Sequence, residues 1–180
     1  KRQSQDYLKG APPHQITERV KDANLIILAS YTQSSQDYLI EEIIDHATQH
    51  PDVNIICCNW DRFVRSGNTL LPVIGSVAQR IEDSIQRPIY WFGKPMENYA
   101  KLVKQRLQEA GLTVNSDIIF FDDNIQNVVS MEKHIGISGC WVKSTGIYFK
   151  HDISSLFKEF GKPTFMIEAF DLDAELVHCR

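Results

Sequence analysis

The chain has 180 residues, 43% apolar and 23% charged, the proportions of a globular protein with its own core rather than of a disordered, collagen-like or coiled-coil chain. A formal charge of -4 lacks the basic excess of a general nucleic-acid binder, and no apolar run approaches the roughly 20 residues needed to span a bilayer. The chain opens Lys1-Arg2-Gln3-Ser4 with neither Met nor an apolar signal segment, the expectation for a piece of something longer. Cys57, Cys58, Cys140 and Cys179 show no Cys-x-x-Cys spacing, and three of them lie in apolar runs. They read as small core hydrophobes of a reducing, cytoplasmic protein.

Apolar runs and amphipathic segments alternate along the chain. Asn24–Ser30 is a strand, and Tyr38–Ala47 puts Leu39, Ile40, Ile43, Ile44 and Ala47 on one helical face. Val53–Cys58 is a second strand; after a polar loop, Val77, Ala78, Ile81 and Ile85 mark the next helix. Pro88–Phe92 is a third strand, followed by a helix bearing Tyr99, Leu102, Val103, Leu107 and Ala110 and ended by Gly111. Asp117–Phe121 leads into a helix with Ile125, Val128 and Val129; Ile137–Val142 precedes a helix capped by Asp152; Thr164–Ile167 is a last strand. Continuous apolar strands separated by amphipathic helices predict an α/β fold with a parallel sheet covered on both faces. In such folds ligands gather where strands end and helices begin.

The strand ends carry the chemistry. After Pro88–Phe92 stands Gly93-Lys94-Pro95, with Pro95 suited to a first helical position. A cation there opposes the positive end of the helix and makes sense if an anion lies between them, the alternative being a solvated lysine. After the next strand come Asp122, Asp123, Asn124 and, one turn on, Asn127. Two adjacent carboxylates at the end of a buried strand repel, and a hard cation such as Mg²⁺ would relieve both. Helix capping would account for only one of them. The loop from Cys58 through Asn59, Asp61, Arg62, Phe63 and Arg65 mixes aromatic, cationic and acidic groups, as substrate-reading loops and plain connections both do.

Other candidates fail on spacing. Gly139–Thr145 lacks the glycine that precedes the lysine of a phosphate loop. His46 and His50 stand one helical turn apart with no third ligand, and read as residues suited to a helix C-terminus. Thr164–Asp173 resembles a strand feeding an Asp-x-Asp, but Glu168 interrupts it and no small turn residue follows, so a helix cap is the reading.

Gly93-Lys94-Pro95, followed by Phe-Phe-Asp122-Asp123-Asn-Ile-Gln-Asn127, resembles motifs III and IV of the haloacid dehalogenase-like phosphatases. Asn59-Trp60-Asp61, Gly67 and Gly75-Ser76 ahead of them are similar to the cap-to-core passage of the NagD-type branch, which includes phosphoglycolate and pyridoxal phosphate phosphatases. The resemblance runs from about Asn24 to about Leu172. It implies a Mg²⁺-dependent phosphomonoester phosphatase working through an aspartyl-phosphate, with a small phosphorylated metabolite as substrate and a homodimer formed through the cap. Lys94 would neutralise nucleophile and phosphate, Asp122 and Asp123 would hold the metal, and Asp123 would be essential to turnover. Tyr31, Asn59, Asp61, Arg62, Phe63, Arg65 and Asn127 would lie on the substrate side.

Two departures from the family pattern stand out. Asn127 occupies a position where motif IV usually has another acid, and motifs I and II, with the nucleophile, would lie before Lys1. The resemblance thus implies a Rossmann-like core half with part of an α/β cap: residues 1–87 the second half of the cap, and 88–180 the C-terminal half of the core. A module that keeps this fold for binding or scaffolding without catalysis is the alternative. A response-regulator-like domain fits less well, because its acidic pair and lysine come in another chain order.

Overall fold

The computed structural model describes residues 16–31, 37–114, 117–169 and 177–179. The chain forms two compact units, residues 1–62 with 72–91, and residues 63–71 with 92–180. The last change of unit falls after Trp91, because Tyr90 and Trp91 pair with a strand of the first unit.

In the first unit β1 (Leu25–Leu28), β2 (Asn54–Cys57) and β5 (Tyr90–Trp91) form a parallel sheet in the order β1-β2-β5. Helices α1 (Asp37–Gln49) and α2 (Ile74–Ile85) place Ile40, Ile43, Ala47, Val77, Ala78 and Ile81 in one core with Leu28, Ile55 and Cys57. Burial pushes the Cys57 thiol up to about 11, so it stays a neutral core residue. The start of α2 lies so close to the 60–61 backbone that a Cβ on Gly75 would stand 2.3 Å from the Asp61 carbonyl oxygen. Glycine is therefore required at the helix start that the sequence placed there.

The expectation of a sheet covered on both faces is corrected here. Leu25, Ile27 and Tyr90 are 46%, 50% and 64% exposed, and a cavity of about 610 Å³ lined by Asn24, Leu25, Asp52, Asn54, Ile56 and Tyr90 lies on the sheet. Periodicity reports that these strands are apolar on both faces; it does not report what covers the second. The rings of His46 and His50 lie 4.7 Å apart, and His46 Nε2 is bonded to the Ala23 carbonyl at 2.9 Å, a structural role.

The segment expected as a polar loop instead holds two strands, β3 (Phe63–Ser66) and β4 (Thr69–Pro72), joined through Gly67-Asn68. The charge of Arg65 and the turn residues masked short runs of strand-forming side chains in Phe63-Val64 and Thr69-Leu70-Leu71.

In the second unit β6 (Ile119–Asp122), β7 (Ser138–Val142) and β8 (Phe165–Ile167) run parallel, and the short β9 (Val177–His178) adds antiparallel to β8. Helices α3 (Glu97–Glu109) and α4 (Ile125–Ile135) share a core of Ala100, Met131, Ile135 and Ile137, while α4 and α5 (Ile153–Phe160) enclose Trp141 and Leu156. Asp152 caps α5 as expected, accepting from the Ser155 amide at 2.8 Å, and these bonds hold its carboxyl below the usual range. Asp171 and Asp173 of the Asp-x-Asp candidate lie outside the described residues. No helix among the described residues is long and apolar enough to cross a membrane.

One carboxylate ties α4 to the sheet: Glu132 Oε1 accepts from the Gly139 amide at 2.5 Å and the Thr164 amide at 2.8 Å, reaching the starts of β7 and β8. Glu132→Ala strands two amides. It is expected to cost about 2 kcal/mol and to lower Tm by about 4–8 °C in a thermal melt, with Glu132→Gln, which keeps the oxygen, losing less.

Candidate functional site

The parallel strands β6, β7 and β8 end together, and the residues at that carboxyl edge are Asp122, Val142-Lys143 and Ile167-Glu168. Asp122 is the last residue of β6 and its side chain is only 4% exposed. A buried carboxylate must be compensated or lose its charge. The compensation here is thorough: Oδ2 pairs with the Lys94 ammonium, while Oδ1 accepts from the Asn124 amide at 2.9 Å and from Asn127 Nδ2 at 3.1 Å. The anion that a lysine before a helix calls for is thus supplied by the protein itself.

Lys94 arrives from the turn after β5. The Lys94–Pro95 bond is cis, the Met96 amide bonds the Gly93 carbonyl at 2.8 Å, and Ser130 Oγ of α4 donates to the Pro95 carbonyl at 2.8 Å. These contacts hold the turn against α4, whose first turn also carries Asn127. Pro95 does not open the helix as expected; Met96 is the N-cap and α3 starts at Glu97. Lys94 keeps a side chain 33% exposed, so it faces both Asp122 and solvent.

Neither aspartate caps α4. Asn124 does, its side chain accepting from the Gln126 amide at 3.0 Å, which leaves both carboxylates for other work. Asp123 is exposed, and its backbone is held from two sides. The Trp141 indole donates to its carbonyl at 3.1 Å, and Gly146 approaches that oxygen so closely that a Cβ would stand 1.9 Å from it. Only glycine fits there. Asn127, expected on the substrate side, is fully buried; it steadies Asp122, and its own Oδ1 has no hydrogen-bond partner.

The remaining candidates divide between the two units. Tyr31, Asn59, Asp61 and Arg62 belong to the first, Phe63 and Arg65 to the second. The Tyr31 hydroxyl donates to Asp37 at 3.0 Å, a bond that holds the phenol above its usual range. Asn59 Oδ1 accepts from the Asp61 amide at 3.0 Å, and Arg62 donates to Gln79 at 2.7 Å beside the Trp60 ring, so these residues shape their own loop. Phe63 is exposed on β3, and Arg65 bonds the Ser144 carbonyl at 3.2 Å. Asn124, Ser130, Trp141 and Gly146 were not singled out from the sequence. Asn124 carried a readable signal, an N-cap type one residue before an apolar helix; the other three act through tertiary contacts.

Asp122, Asp123 and the unpartnered Asn127 Oδ1 are all oxygen donors, the set suited to a hard cation such as Mg²⁺. Among the described residues no group of three or more His, Cys, Asp or Glu side chains could hold a metal. A Mg²⁺ ion held here would take Asp122 and Asp123 as its carboxylates and its other ligands from water or phosphate oxygens.

The coupling of Lys94 and Asp122 is measurable by urea unfolding. Lys94→Met leaves Asp122 uncompensated and is expected to cost about 2 kcal/mol, less than the loss at a fully buried pair because Lys94 is partly solvated. Adding Asp122→Asn should restore more than half of that loss. A double variant no more stable than Lys94→Met would show that the two groups are not coupled.

No family model and no curated protein matches the chain. Solved structures do match its fold. A possible sugar phosphatase of the HAD superfamily from Cytophaga hutchinsonii superposes with a TM-score of 0.72 at 19% identity, over 94% of this chain and 62% of its own. A p-nitrophenyl phosphatase from Archaeoglobus fulgidus gives 0.65 at 18% identity, over 84% and 56%. A 4-nitrophenylphosphatase from Thermotoga maritima gives 0.65 at 17%, over 85% and 55%. The chain spans little more than half the length of these structures, and what it shares with them is their α/β fold.

Proposed function

We propose that the chain carries the lysine and acid elements of a Mg²⁺-dependent phosphomonoester phosphatase that works through an aspartyl-phosphate on a small phosphorylated metabolite in the cytoplasm. The observation that carries the reading is the Lys94–Asp122 pair at the carboxyl end of β6, in a fold shared with phosphatases. Lys94, paired with Asp122 and with a side chain 33% exposed, binds and neutralises the phosphoryl oxygens and the attacking carboxylate. Asn124 and Asn127 hold Asp122 in one rotamer, so that it presents a fixed carboxylate rather than a mobile one. Asp122 and Asp123 would hold Mg²⁺, which when bound supplies Lewis-acid stabilisation of the phosphoryl charge. The attacking aspartate that this chemistry requires is not among the residues assigned here, so Lys94, Asp122 and Asp123 would form only part of the active site.

The two aspartates are placed differently. Asp122 is buried and paired with Lys94, whereas Asp123 is exposed, so Asp122 is the better fixed of the two carboxylates. A second reading has an observation of its own: Asp122 is satisfied by Lys94, Asn124 and Asn127 without a metal, as a non-catalytic module keeping the fold would require.

Hydrolysis assays of the intact protein separate the two. With Mg²⁺, it should hydrolyse p-nitrophenyl phosphate and small phosphomonoesters, with Asp122→Asn and Lys94→Met each lowering kcat about 10²–10³-fold and Asp123→Ala abolishing turnover. Inactivity across a broad panel, together with no saturable binding of orthovanadate in the presence of Mg²⁺, would establish the module instead.

A further inference from the structure

Among residues 63–71 of the β3–β4 segment, Arg65 is the one side chain that is not exposed, while Phe63, Val64, Leu70 and Leu71 all face solvent. Its guanidinium makes three contacts. Nε donates to the Gly67 carbonyl in its own turn at 2.7 Å, Nη1 donates to the Ser144 carbonyl at 3.2 Å, and the guanidinium carbon lies 3.8 Å from the centre of the Phe149 ring. A planar fork stacked on an aromatic face while donating to two carbonyls suits arginine and not lysine.

The partners of Arg65 belong to the 143–149 loop, and that loop is what packs against Asp123. The Lys143 and Ser144 amides bond the Ile167 and Glu168 carbonyls at 3.0 and 2.9 Å, anchoring one end of the loop to β8 and its exit. The Phe149 amide bonds the Gly146 carbonyl at 3.2 Å, and Gly146 is seated against the Asp123 carbonyl that also receives the Trp141 indole. Arg65 thus grips the loop on both sides of the glycine that sets the backbone at Asp123.

We propose that Arg65 is a positioning residue, a brace that fixes the 143–149 loop and through Gly146 the Asp122–Asp123 backbone, rather than a reader of substrate. Its bearing on catalysis rests on the phosphatase reading above; the mechanical coupling does not.

The test uses the indole signals of the chain's three tryptophans, Trp60, Trp91 and Trp141, in ¹⁵N NMR of the protein. Arg65→Ala should displace the Trp141 indole and Asn124 amide resonances while leaving Trp60 and Trp91, both in the first unit, in place. Phe149→Leu, which removes the ring under the guanidinium, should give the same signature, and Arg65→Lys, which keeps a cation over the ring, a smaller displacement. Unmoved Trp141 and Asn124 signals in Arg65→Ala, or displacement of all three indoles together with a lowered Tm, would overturn the brace. If the protein hydrolyses p-nitrophenyl phosphate, Arg65→Ala should lower kcat about ten- to a hundredfold with KM unchanged. A raised KM with unchanged kcat would give Arg65 to the substrate and overturn the proposal. An inert wild type would remove the phosphatase reading alone, the brace standing or falling on Trp141.

Discussion

Asp122 closes β6 with a buried charge, and much of the second unit is arranged around that fact. A carboxylate with a side chain 4% exposed requires either a cation or a proton, and the chain provides Lys94 from the turn after β5 together with two N–H donors from the start of α4. To bring Lys94 there, the Gly93–Met96 turn is bonded to itself and to Ser130; to bring the donors there, Asn124 must cap α4 and Asn127 must be buried one turn later. Glu132, further along the same helix, fixes α4 to the starts of β7 and β8. Stability and candidate chemistry therefore draw on the same contacts, because the group that is costly to bury is also the one that faces the carboxyl edge of the sheet.

Alternation of apolar runs with 3.6-residue periodicity was enough to place six of the nine strands and the five α-helices among the described residues, and the Asp152 cap and Gly75 at the start of α2 were readable from residue type. What escaped reading has identifiable causes. The strands β3 and β4 are exposed almost throughout, so they carry no core-facing alternation, and β9 is two residues long. The open face on β1, β2 and β5 escaped because an apolar strand looks the same whether one or both of its faces are covered.

At the site, the juxtaposition of Lys94 and Asp122 followed from their places at successive strand ends, and the unequal burial of the two aspartates did not. Strand phase decides it. Asp122 is the last β6 residue and shares the helix-facing side of the sheet with Trp141, its partner in register, whereas Asp123 lies beyond the strand. The placement of Tyr31, Asn59, Asp61 and Arg62 in one unit and Lys94, Asp122 and Asp123 in the other is likewise a tertiary fact that local spacing does not encode. Asn127 was readable as a departure from an acidic position, yet its use as a donor to Asp122 depends on the rotamer that burial imposes.

We propose that the end of β6 is a phosphate and Mg²⁺ site organised by Asp122. Titrating the ¹⁵N-labelled intact protein with Mg²⁺ and inorganic phosphate together addresses it most directly. Such a site gives saturable displacement of the Asn124 amide and Trp141 indole signals, dependent on both ligands and lost in Asp122→Asn. Signals that stay fixed at saturating concentrations, or that move equally in Asp122→Asn, would contradict it.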